Sequence, residues 1–321
     1  MKPRSHSNTP MRELWPALPL AEWKDTRTTL HLWTQIVGKV RMELSFRLNH
    51  WWHVPLYVDV RGLSTSPIPL GGDWFDIRFD FLSHLLVLDT SSGQSSAMPL
   101  RPQSVAEFYR DFMALLHGAG IQVTIRDLPA EVPDPIPFSE DTVHASYDRE
   151  YVQRFWHALL AMACIFQEFR GRFLGKCSPV HFFWGSFDLA VSRFSGRRAP
   201  ERPDADAITR EAYSHEVSSA GWWPGGETLS GIEVPGAAFY SYMAPEPAGY
   251  AERGVRPVGA HYNRDLGEFL LNYDDLRAAP SPHLALLEFL QSTYEAGAEA
   301  AHWDRPALEY PESLHPREQA A

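Results

Sequence analysis

The chain has little cysteine and no long hydrophobic run. Two of its 321 residues are cysteines, Cys164 and Cys177; this is too few for a disulfide framework, and they lack the CxxC spacing of a metal site. Such cysteine usage is typical of a reducing compartment, so we expect a cytoplasmic protein. Residues 1–10 are polar, which predicts no secretory signal. No stretch of about 18 apolar residues occurs, which predicts no membrane-spanning helix.

Positive charge is also scarce. Lys and Arg number 29 against 40 Asp and Glu, so the formal net charge is −11. Nucleic acids and anionic membranes bind to basic surfaces, so we expect neither as a partner. The densest basic run, Arg193 to Arg202, is typical of a solvated loop. A small molecule is the expected ligand, and the oligomeric state stays open.

Motifs of the common enzyme classes are absent. Residues 171–178, GRFLGKCS, have three residues between the glycines and no Ser or Thr after Lys176, so they are not a phosphate-binding loop. His215 begins an HExxH pattern, but Ser219 stands where the second histidine is required. Neither GxGxxG nor GxSxG occurs. The sequence therefore contains no nucleotide-cofactor motif, and any cofactor stays unknown.

Local periodicity predicts helices that alternate with strands. Apolar residues that recur every three or four positions predict four amphipathic helices, at residues 30–44, 105–115, 152–173 and 282–293. A capping box, Ser104 with Glu107, precedes the second helix. Alternating apolar and polar residues predict strands, at residues 53–61, 74–81, 85–89, 121–126, 181–194, 238–243 and 268–273.

The predicted element order repeats, with helix, strands and helix in residues 28–119 and again in 151–300. A shift of 129 positions superimposes Asp59 on Asp188. We therefore predict an α+β fold of two related helix–antiparallel strands–helix halves, a pseudo-duplication with a ligand cleft between the halves. The predicted segments are a first half at 1–127, a Pro-rich linker at 128–148, a second half with insertions at 149–303, and a loosely ordered tail at 304–321.

Glu211, Tyr213 and His215 are the predicted catalytic residues. On a strand the three side chains share one face, and on a helix Glu211 and His215 meet at i, i+4 spacing. A carboxylate that orients an imidazole suits a general base or a metal pair. The alternative is a structural hydrogen bond at the edge of a loop.

The candidate metal ligands are His215, Glu216, His181 and His53. His50 and His53 flank a Trp-Trp pair, but i, i+3 spacing on a strand points their side chains to opposite faces. This spacing favours a helix-end histidine and a core histidine over a metal pair. The sequence leaves open whether a metal is bound.

The candidate substrate-binding residues are polar or aromatic. Trp184, Ser186 and Asp188 alternate along the predicted strand 181–194, and their shared face either lines a cavity or faces water. Trp184 favours the cavity, since a solvated face rarely needs tryptophan. Trp223, in the run Trp-Trp-Pro-Gly-Gly, forms a pocket wall or anchors an insertion. The remaining candidates are Arg193 and, from the first half, Tyr57 and Asp59.

Five segments of the sequence are distinctive: LWTQIVGK at 32–39, NHWWHV at 49–54, SPVHFFWGSFDL at 178–189, RFSGR at 193–197 and AYSHE at 212–216. Together they resemble a Trp-rich bacterial family described only as a domain of unknown function. The resemblance covers about residues 15–303. It implies a bacterial, cytosolic origin and supplies no catalytic roles.

These observations favour an enzyme that acts on a small organic molecule. The expected mechanism is His–carboxylate acid–base or metal-assisted chemistry in the cleft, centred on His215. The first alternative is a non-catalytic protein that binds an apolar metabolite in the same cleft. The second is a structural or interaction protein whose aromatic residues only build the core.

Overall fold

The computed structural model describes residues 14–228 and 231–311. Its fold is α+β, as predicted, with helices packed against antiparallel sheets. The helices are α1 (Leu20–Leu44), α2 (Val105–Gly118), α3 (Arg149–Gly171), α4 (Ala207–Ala212), α5 (Tyr273–Arg277), α6 (Pro282–Ala300) and α7 (Arg305–Leu308). The predicted capping box begins α2, where Ser104 Oγ accepts from Glu107 N at 3.2 Å and Glu107 Oε2 accepts from Ser104 N at 2.8 Å.

The first sheet has the strand order β1-β2-β4-β5-β6, and β3 also pairs with β4. Every pairing in it is antiparallel, and adjacent strands are joined by short turns. Its strands are β1 (Tyr57–Asp59), β2 (Gly62–Ser64), β3 (Ile68–Leu70), β4 (Asp73–Asp80), β5 (Leu85–Thr90) and β6 (Ser95–Pro99).

The second sheet has the strand order β13-β14-β12-β9-β8-β7 and is also antiparallel. A separate two-stranded ribbon, β10–β11, lies between β9 and β12 in the chain. The strands are β7 (His181–Phe183), β8 (Asp188–Arg198), β9 (His215–Trp223), β10 (Gly226–Glu227), β11 (Glu233–Val234), β12 (Ala238–Ala244), β13 (His261–Asn263) and β14 (Glu268–Asn272).

The two sheets meet edge to edge at Leu56 and Phe182. Each backbone N–H of this pair donates to the other's carbonyl at 2.9 Å. Helices α2, α1, α3 and α6 contact one another in that order. One hydrophobic cluster runs from Trp15 to Trp303 and includes residues of both sheets. Apart from a small cluster of Phe194, Val217 and Ala244, the residues described share one continuous core.

Helix α1 is enclosed by protein, since every residue from Thr29 to Arg41 is buried. The connecting segment, residues 119–148 between α2 and α3, runs back across it. Gln35 Nε2 donates to Ala130 O at 2.8 Å, and Gln35 Oε1 accepts from Ala130 N at 2.7 Å. Near the end of the segment, Asp148 N donates to Thr26 Oγ1 at 2.9 Å. These contacts satisfy polar groups on the buried part of the helix.

Three of the predicted strands differ from those observed. Residues 121–126 form no strand, although Ile121 and Ile125 are buried in the core. The predicted strand 53–61 is confined to β1, because His50 and Trp51 adopt left-handed conformations (φ 55° and 58°) and turn the chain before it. The predicted strand 181–194 is two strands. A turn at residues 184–187 separates them, so Trp184 and Asp188 do not follow one strand face.

The predicted register match of Asp59 with Asp188 is wrong. Asp59 ends β1, the edge strand of the first sheet, whereas Asp188 begins β8, the second strand of its sheet. The cause is turn length: residues 60–61 connect β1 to β2, whereas residues 184–187 connect β7 to β8. A sequence shift that aligns the two aspartates therefore misaligns the two hairpins.

Residues 304–311, expected to be loosely ordered, pack against the second half. Leu174 N donates to Leu308 O at 2.7 Å, and Tyr294 Oη donates to Glu309 at 2.9 Å. Arg305 forms ion pairs with Glu295 at 3.0 Å and with Glu309 at 2.6 Å. Residues 312–321 of the predicted tail lie outside the described part of the chain.

Candidate functional site

The second sheet has a core face and an outer face. Phe182 and Trp222 belong to the core face, where their rings lie 6.1 Å and 6.0 Å from Phe155 of α3. Because side chains alternate along each strand, the neighbouring positions point the other way. This outer face is polar and tyrosine-rich, and it carries Asp188, Ser192, His215, Ser219, Tyr240, Tyr242 and Glu268.

Asp188 is a buried carboxylate held by two hydroxyl groups. The Ser186 hydroxyl donates to Oδ1, and the Tyr240 hydroxyl donates to Oδ2. The Tyr240 ring lies 6.2 Å from that of Tyr242 at an interplanar angle of 16°. The Tyr242 hydroxyl is 2.9 Å from that of Tyr213. The hydrogen bonds from Ser186 and Tyr240 orient the Asp188 carboxylate. The hydroxyl groups of Tyr242 and Tyr213 continue the polar surface beside it.

Gly221 makes room for the Tyr240 side chain. A Cβ atom at position 221 would lie 2.3 Å from the Tyr240 hydroxyl and 2.5 Å from Leu189 O. Such distances are far below van der Waals contact. The phenol of Tyr240 therefore crosses the neighbouring strand over a glycine to reach Asp188. Glycine inside a strand is a known mark of close approach.

Two more carboxyl groups lie in the electrostatic field of Asp188. Glu268 belongs to β14, and Glu131 belongs to the segment that crosses α1. The carboxylate of Glu131 lies against Gly185, where a Cβ atom would be 2.5 Å from Oε1. Glu131 also adopts a left-handed conformation (φ 54°), which is unusual outside glycine. We call Glu131, Asp188, Tyr240, Tyr242 and Glu268 the Asp188 recess.

The pKa values of all three carboxyl groups are raised. Burial raises the pKa of Glu268 to about 7, with a further contribution from the charge of Asp188. Burial also raises the pKa of Glu131 to about 7, with contributions from Asp188 and Asp206. Burial raises the pKa of Asp188, and its bonds from Ser186 and Tyr240 oppose that rise. Three acids in one neighbourhood make full ionisation unfavourable.

Solvent still reaches the recess, because Tyr240, Tyr242 and Glu268 are only half-buried. The recess is therefore open to solvent. Two surface depressions elsewhere are lined by other residues. One, of 560 Å³, lies beside Ser104 and Arg110, and the other, of 260 Å³, lies beside Leu18 and Tyr273. Neither contains a residue of the recess.

Sequence reasoning missed Glu131, Tyr240, Tyr242 and Glu268. Glu131 lies in a segment without periodicity, and the other three follow ordinary strand alternation. One local signal was present in Gly221, which interrupts a run that otherwise favours a strand. That glycine indicates a close neighbour without identifying which residue it is.

The predicted Glu211–His215 pair is not formed. Glu211 accepts instead from Arg47 Nη2 at 2.6 Å and from His50 N at 3.2 Å. Helix α4 ends at Ala212 and β9 begins at His215, so neither regular geometry spans both positions. His215 Nδ1 lies 3.0 Å from Ser214 Oγ. Burial, then the charges of Arg198 and Lys176, lower the pKa of His215, contrary to the expected effect of a carboxylate.

Four predicted residues do lie at the Asp188 recess, namely Asp188, Ser186, Tyr213 and Trp223. Ser186 and Tyr213 form the hydrogen bonds described above, and Trp223 Nε1 donates to Ser186 O at 3.0 Å. Trp184, predicted to line the same cavity, is buried against α1. Its Nε1 donates to Val54 O at 2.8 Å, and its ring packs over Gly38. Trp184 is therefore a core residue that joins the halves.

Arg193, Tyr57 and Asp59 also lie away from the recess. The Arg193 guanidinium is buried on the core face, 3.4 Å from the centroid of the Phe169 ring. Tyr57 packs against His181 at a ring distance of 5.6 Å. Asp59 Oδ1 accepts from Arg61 N at 2.7 Å in a tight turn. Each of these contacts is structural.

The candidate metal ligands are separated from one another. His53 Nδ1 accepts from Leu48 N at 3.3 Å, and Glu216 pairs with Arg197 at 2.6 Å. His181 is fully buried, and burial lowers its pKa to about 3. Across residues 14–228 and 231–311, no group of three His, Cys, Asp or Glu side chains is placed to hold a metal ion. The same residues contain no helix long and apolar enough to cross a membrane.

Comparison with known proteins returns a family and no individual relative. No curated protein and no solved structure matches the chain. A family model matches residues 15–310, which is nearly the whole chain, and it confirms the resemblance seen in the sequence segments. The chain belongs to the family described as "Family of unknown function (DUF5996)".

Proposed function

We propose that this chain is an enzyme that performs acid–base chemistry on a small organic molecule bound in the Asp188 recess. The observation that carries the proposal is the environment of Asp188. Its carboxylate is buried, two hydroxyls hold it, and the two nearby acids come from distant parts of the chain. A fold that only needed stability would gain from apolar residues at these positions.

The three acids support distinct roles. Glu131 and Glu268 have pKa values of about 7. At neutral pH each carboxyl group is therefore partly protonated and partly ionised. One can donate a proton while the other accepts one, which is the condition for paired acid–base catalysis. Asp188 fixes the Tyr240 hydroxyl, and its charge raises the pKa of both glutamates.

The charges of the recess define the substrate class. The ionisable groups of the Asp188 recess are acids and tyrosines, so an anionic substrate would be repelled. The tyrosine rings offer flat apolar surface, and their hydroxyls offer hydrogen bonds. These features favour an uncharged polar molecule or a cation.

The architecture supports a ligand site where the connecting segment meets the second half, since Glu131 comes from the former and the other acids from the latter. As part of the same proposal, the halves derive from duplication. Both sheets run outward from the Leu56–Phe182 bridge, and each follows one long helix and precedes another. The scarcity of cysteine supports a reducing, cytoplasmic setting.

Ligand-observed NMR tests this proposal with three pools of small molecules: uncharged polyols, amines, and carboxylates with phosphates. We expect uncharged or cationic hits that bind the native protein and the control E288Q, whose exposed glutamate lies on α6. Asp188→Asn should weaken these hits at least about tenfold, equivalent to roughly 1.4 kcal/mol. Hits that are all anionic, or that bind D188N equally well, would contradict the proposal.

Turnover distinguishes the enzyme from the alternative of a binding protein. The tyrosine surface by itself would also suit a non-catalytic binder. An enzyme should consume a hit with a pH dependence centred near 7. Glu268→Gln should abolish consumption while binding persists. Binding without consumption at any pH between 5 and 9 would favour the binding protein.

A further inference from the structure

Lys176 and His50 meet at the other end of the outer face. Lys176 Nζ lies 2.8 Å from His50 Nε2. An ammonium group can only donate, so Nε2 accepts, and the ring proton is on Nδ1, which donates to Ala212 O at 3.3 Å. His50 is therefore a neutral imidazole whose free electron pair faces the lysine.

The backbone holds His50 in an unfavourable conformation. His50 and Trp51 both have left-handed φ angles, 55° and 58°, which cost roughly 1–2 kcal/mol per non-glycine residue. The contact of His50 N with Glu211 Oε1 at 3.2 Å and the Nδ1 bond to Ala212 fix the turn. Strain of this kind is concentrated at functional sites.

The surroundings of Lys176 contain aromatic rings in place of a counter-ion. Its Nζ lies 5.3 Å from the Trp52 ring and 5.4 Å from the Phe194 ring. Glu211, the neighbouring acid, is paired with Arg47. Among the described residues, no carboxylate forms an ion pair with Lys176. Arg198 adds positive charge nearby, and the His215 ring lies 5.8 Å from that of His50.

These contacts change the protonation of both groups. Burial lowers the pKa of Lys176. Burial, then the charge of Lys176, lowers the pKa of His50, while Ala212 and Glu211 oppose that shift. The neutral amine is therefore more populated at neutral pH than for a free lysine. Lys176 is nevertheless exposed, so a reagent can reach it.

We propose that Lys176 is a nucleophile that forms a reversible imine with an aldehyde or ketone, and that His50 accepts and returns the proton. The amine nitrogen attacks the carbonyl carbon, and the C=O electron pair moves to oxygen. Nε2 takes a proton from the attacking nitrogen and delivers it to that oxygen, which gives a carbinolamine. Loss of water then leaves the C=N bond, so one carbonyl compound and one amine give one imine and one water.

The position of Lys176 sets the substrate class and separates this site from the Asp188 recess. Trp52 and Phe194 favour a carbonyl compound with an apolar or aromatic substituent. Phe194 N donates to Lys176 O at 2.9 Å, and Phe194 and Asp188 are roughly 20 Å apart along β8. The inference depends on no residue of the recess, so either proposal can fail alone.

The chain offers internal controls, because its lysines are only Lys2, Lys24, Lys39 and Lys176. Lys24 is exposed on α1, and Lys39 is buried there. Native protein treated with limiting benzaldehyde and sodium cyanoborohydride traps each imine as a stable secondary amine. Peptide mass spectrometry then gives the ratio of Lys176 to Lys24 modification. We expect a ratio of at least about ten at pH 7, because the lowered pKa and the adjacent His50 both favour the neutral amine, falling towards one above about pH 10.

Two variants test the role of His50 and the identity of the amine. His50→Gln keeps a hydrogen-bond acceptor but removes the base, so the ratio at pH 7 should fall at least about threefold towards one. Lys176→Arg should remove the preferentially modified site and leave the extent of Lys24 modification unchanged. A native ratio near one from pH 6 to 9, or an H50Q ratio equal to the native one, would overturn the proposal. If H50Q does not fold, the native pH profile alone decides.

Discussion

Asp188 shows how a single residue controls the chemistry around it. Its charge is a cause of the raised pKa of both Glu131 and Glu268, whereas the hydroxyls of Ser186 and Tyr240 favour its own ionised form. Altering Asp188 should therefore change the protonation of both glutamates.

Replacing Asp188 by Asn should lower the pKa of Glu268 and Glu131 from about 7 towards the ordinary value near 4.5. The amide keeps an acceptor for Tyr240 but removes the negative charge that resists ionisation of the glutamates. Carbon-detected NMR titration of the glutamate carboxyl groups measures both values. Glu288 serves as the internal reference. Unchanged pKa values of Glu131 and Glu268 in D188N would show that burial alone raises them.

Glu268→Gln should make the protein more stable at pH 8 and leave its stability at pH 4 unchanged. The folded pKa of about 7 exceeds the ordinary 4.5, so the folded state holds this proton more tightly. Glu268 thus destabilises the fold increasingly between pH 4.5 and 7, by at most about 3 kcal/mol, and partial exposure reduces that figure. Urea unfolding of the native protein and of E268Q at pH 4 and pH 8 measures the difference in their free energies of unfolding.

The matched control for this stability measurement is E288Q. Its exposed carboxyl lies on the surface of α6, so we expect the same unfolding free energy as the native protein at each pH, within about 0.5 kcal/mol. A loss of stability in E268Q at pH 8 would mean that the ionised carboxylate is favourably bound in the recess.

At the scale of the element, α1 organises the contact between the halves. It is buried on all sides from Thr29 to Arg41, it accepts the connecting segment at Gln35, and it receives the Trp184 ring at Gly38. A glycine inside a helix normally lowers stability. Gly38 is tolerated because the indole occupies the space that a Cβ atom would fill.

Gly38→Ala should therefore destabilise the protein, by roughly 2 kcal/mol or more, although alanine is the better helix former. The added Cβ would lie 2.3 Å from the Trp184 ring. Gly118→Ala, in α2 with nothing near the added atom, should be neutral or stabilise by up to about 1 kcal/mol. Chemical denaturation of both variants gives the comparison. Equal effects would mean that Trp184 moves aside freely.

At the scale of the whole molecule, both halves depend on one core. The hydrophobic cluster includes residues of both sheets, the Leu56–Phe182 bridge joins their edges, and α1 contacts α3 across the boundary. In the part of the chain that the structure describes, the second half adds only a small separate cluster, formed by Phe194, Val217 and Ala244. Cooperative unfolding follows from this arrangement.

Acid should unfold the protein in a single transition. Burial lowers the pKa of His31 and of His181 to about 3, whereas an unfolded histidine titrates near 6.5. The stability that these two neutral histidines contribute to the folded state is therefore present above pH 6.5 and is lost as the pH falls towards 3. His31 lies in α1 and His181 in β7, so both halves are affected. Tryptophan fluorescence and far-UV circular dichroism should give one common midpoint, and two midpoints would show independent halves.

The sequence by itself determined the four long helices, several of the strands and the family. The residues that decide a helix lie three or four positions apart, and the capping box of Ser104 and Glu107 also forms within one turn. Alternation located β4, β5, β12 and β14 closely for the same reason. The family resemblance, which the match to residues 15–310 confirms, rests on contiguous segments.

Only the tertiary structure decided which polar residues meet. Glu211 and His215 are four positions apart, yet a helix end separates them, and Glu211 binds Arg47 and His50 from the other half. Asp188, Glu131 and Glu268 come from three segments that no local pattern connects. They are neighbours because antiparallel pairing places β14 beside β12 and the connecting segment crosses α1. Local periodicity reports the face on which a side chain lies, whereas its partners depend on how distant segments pack.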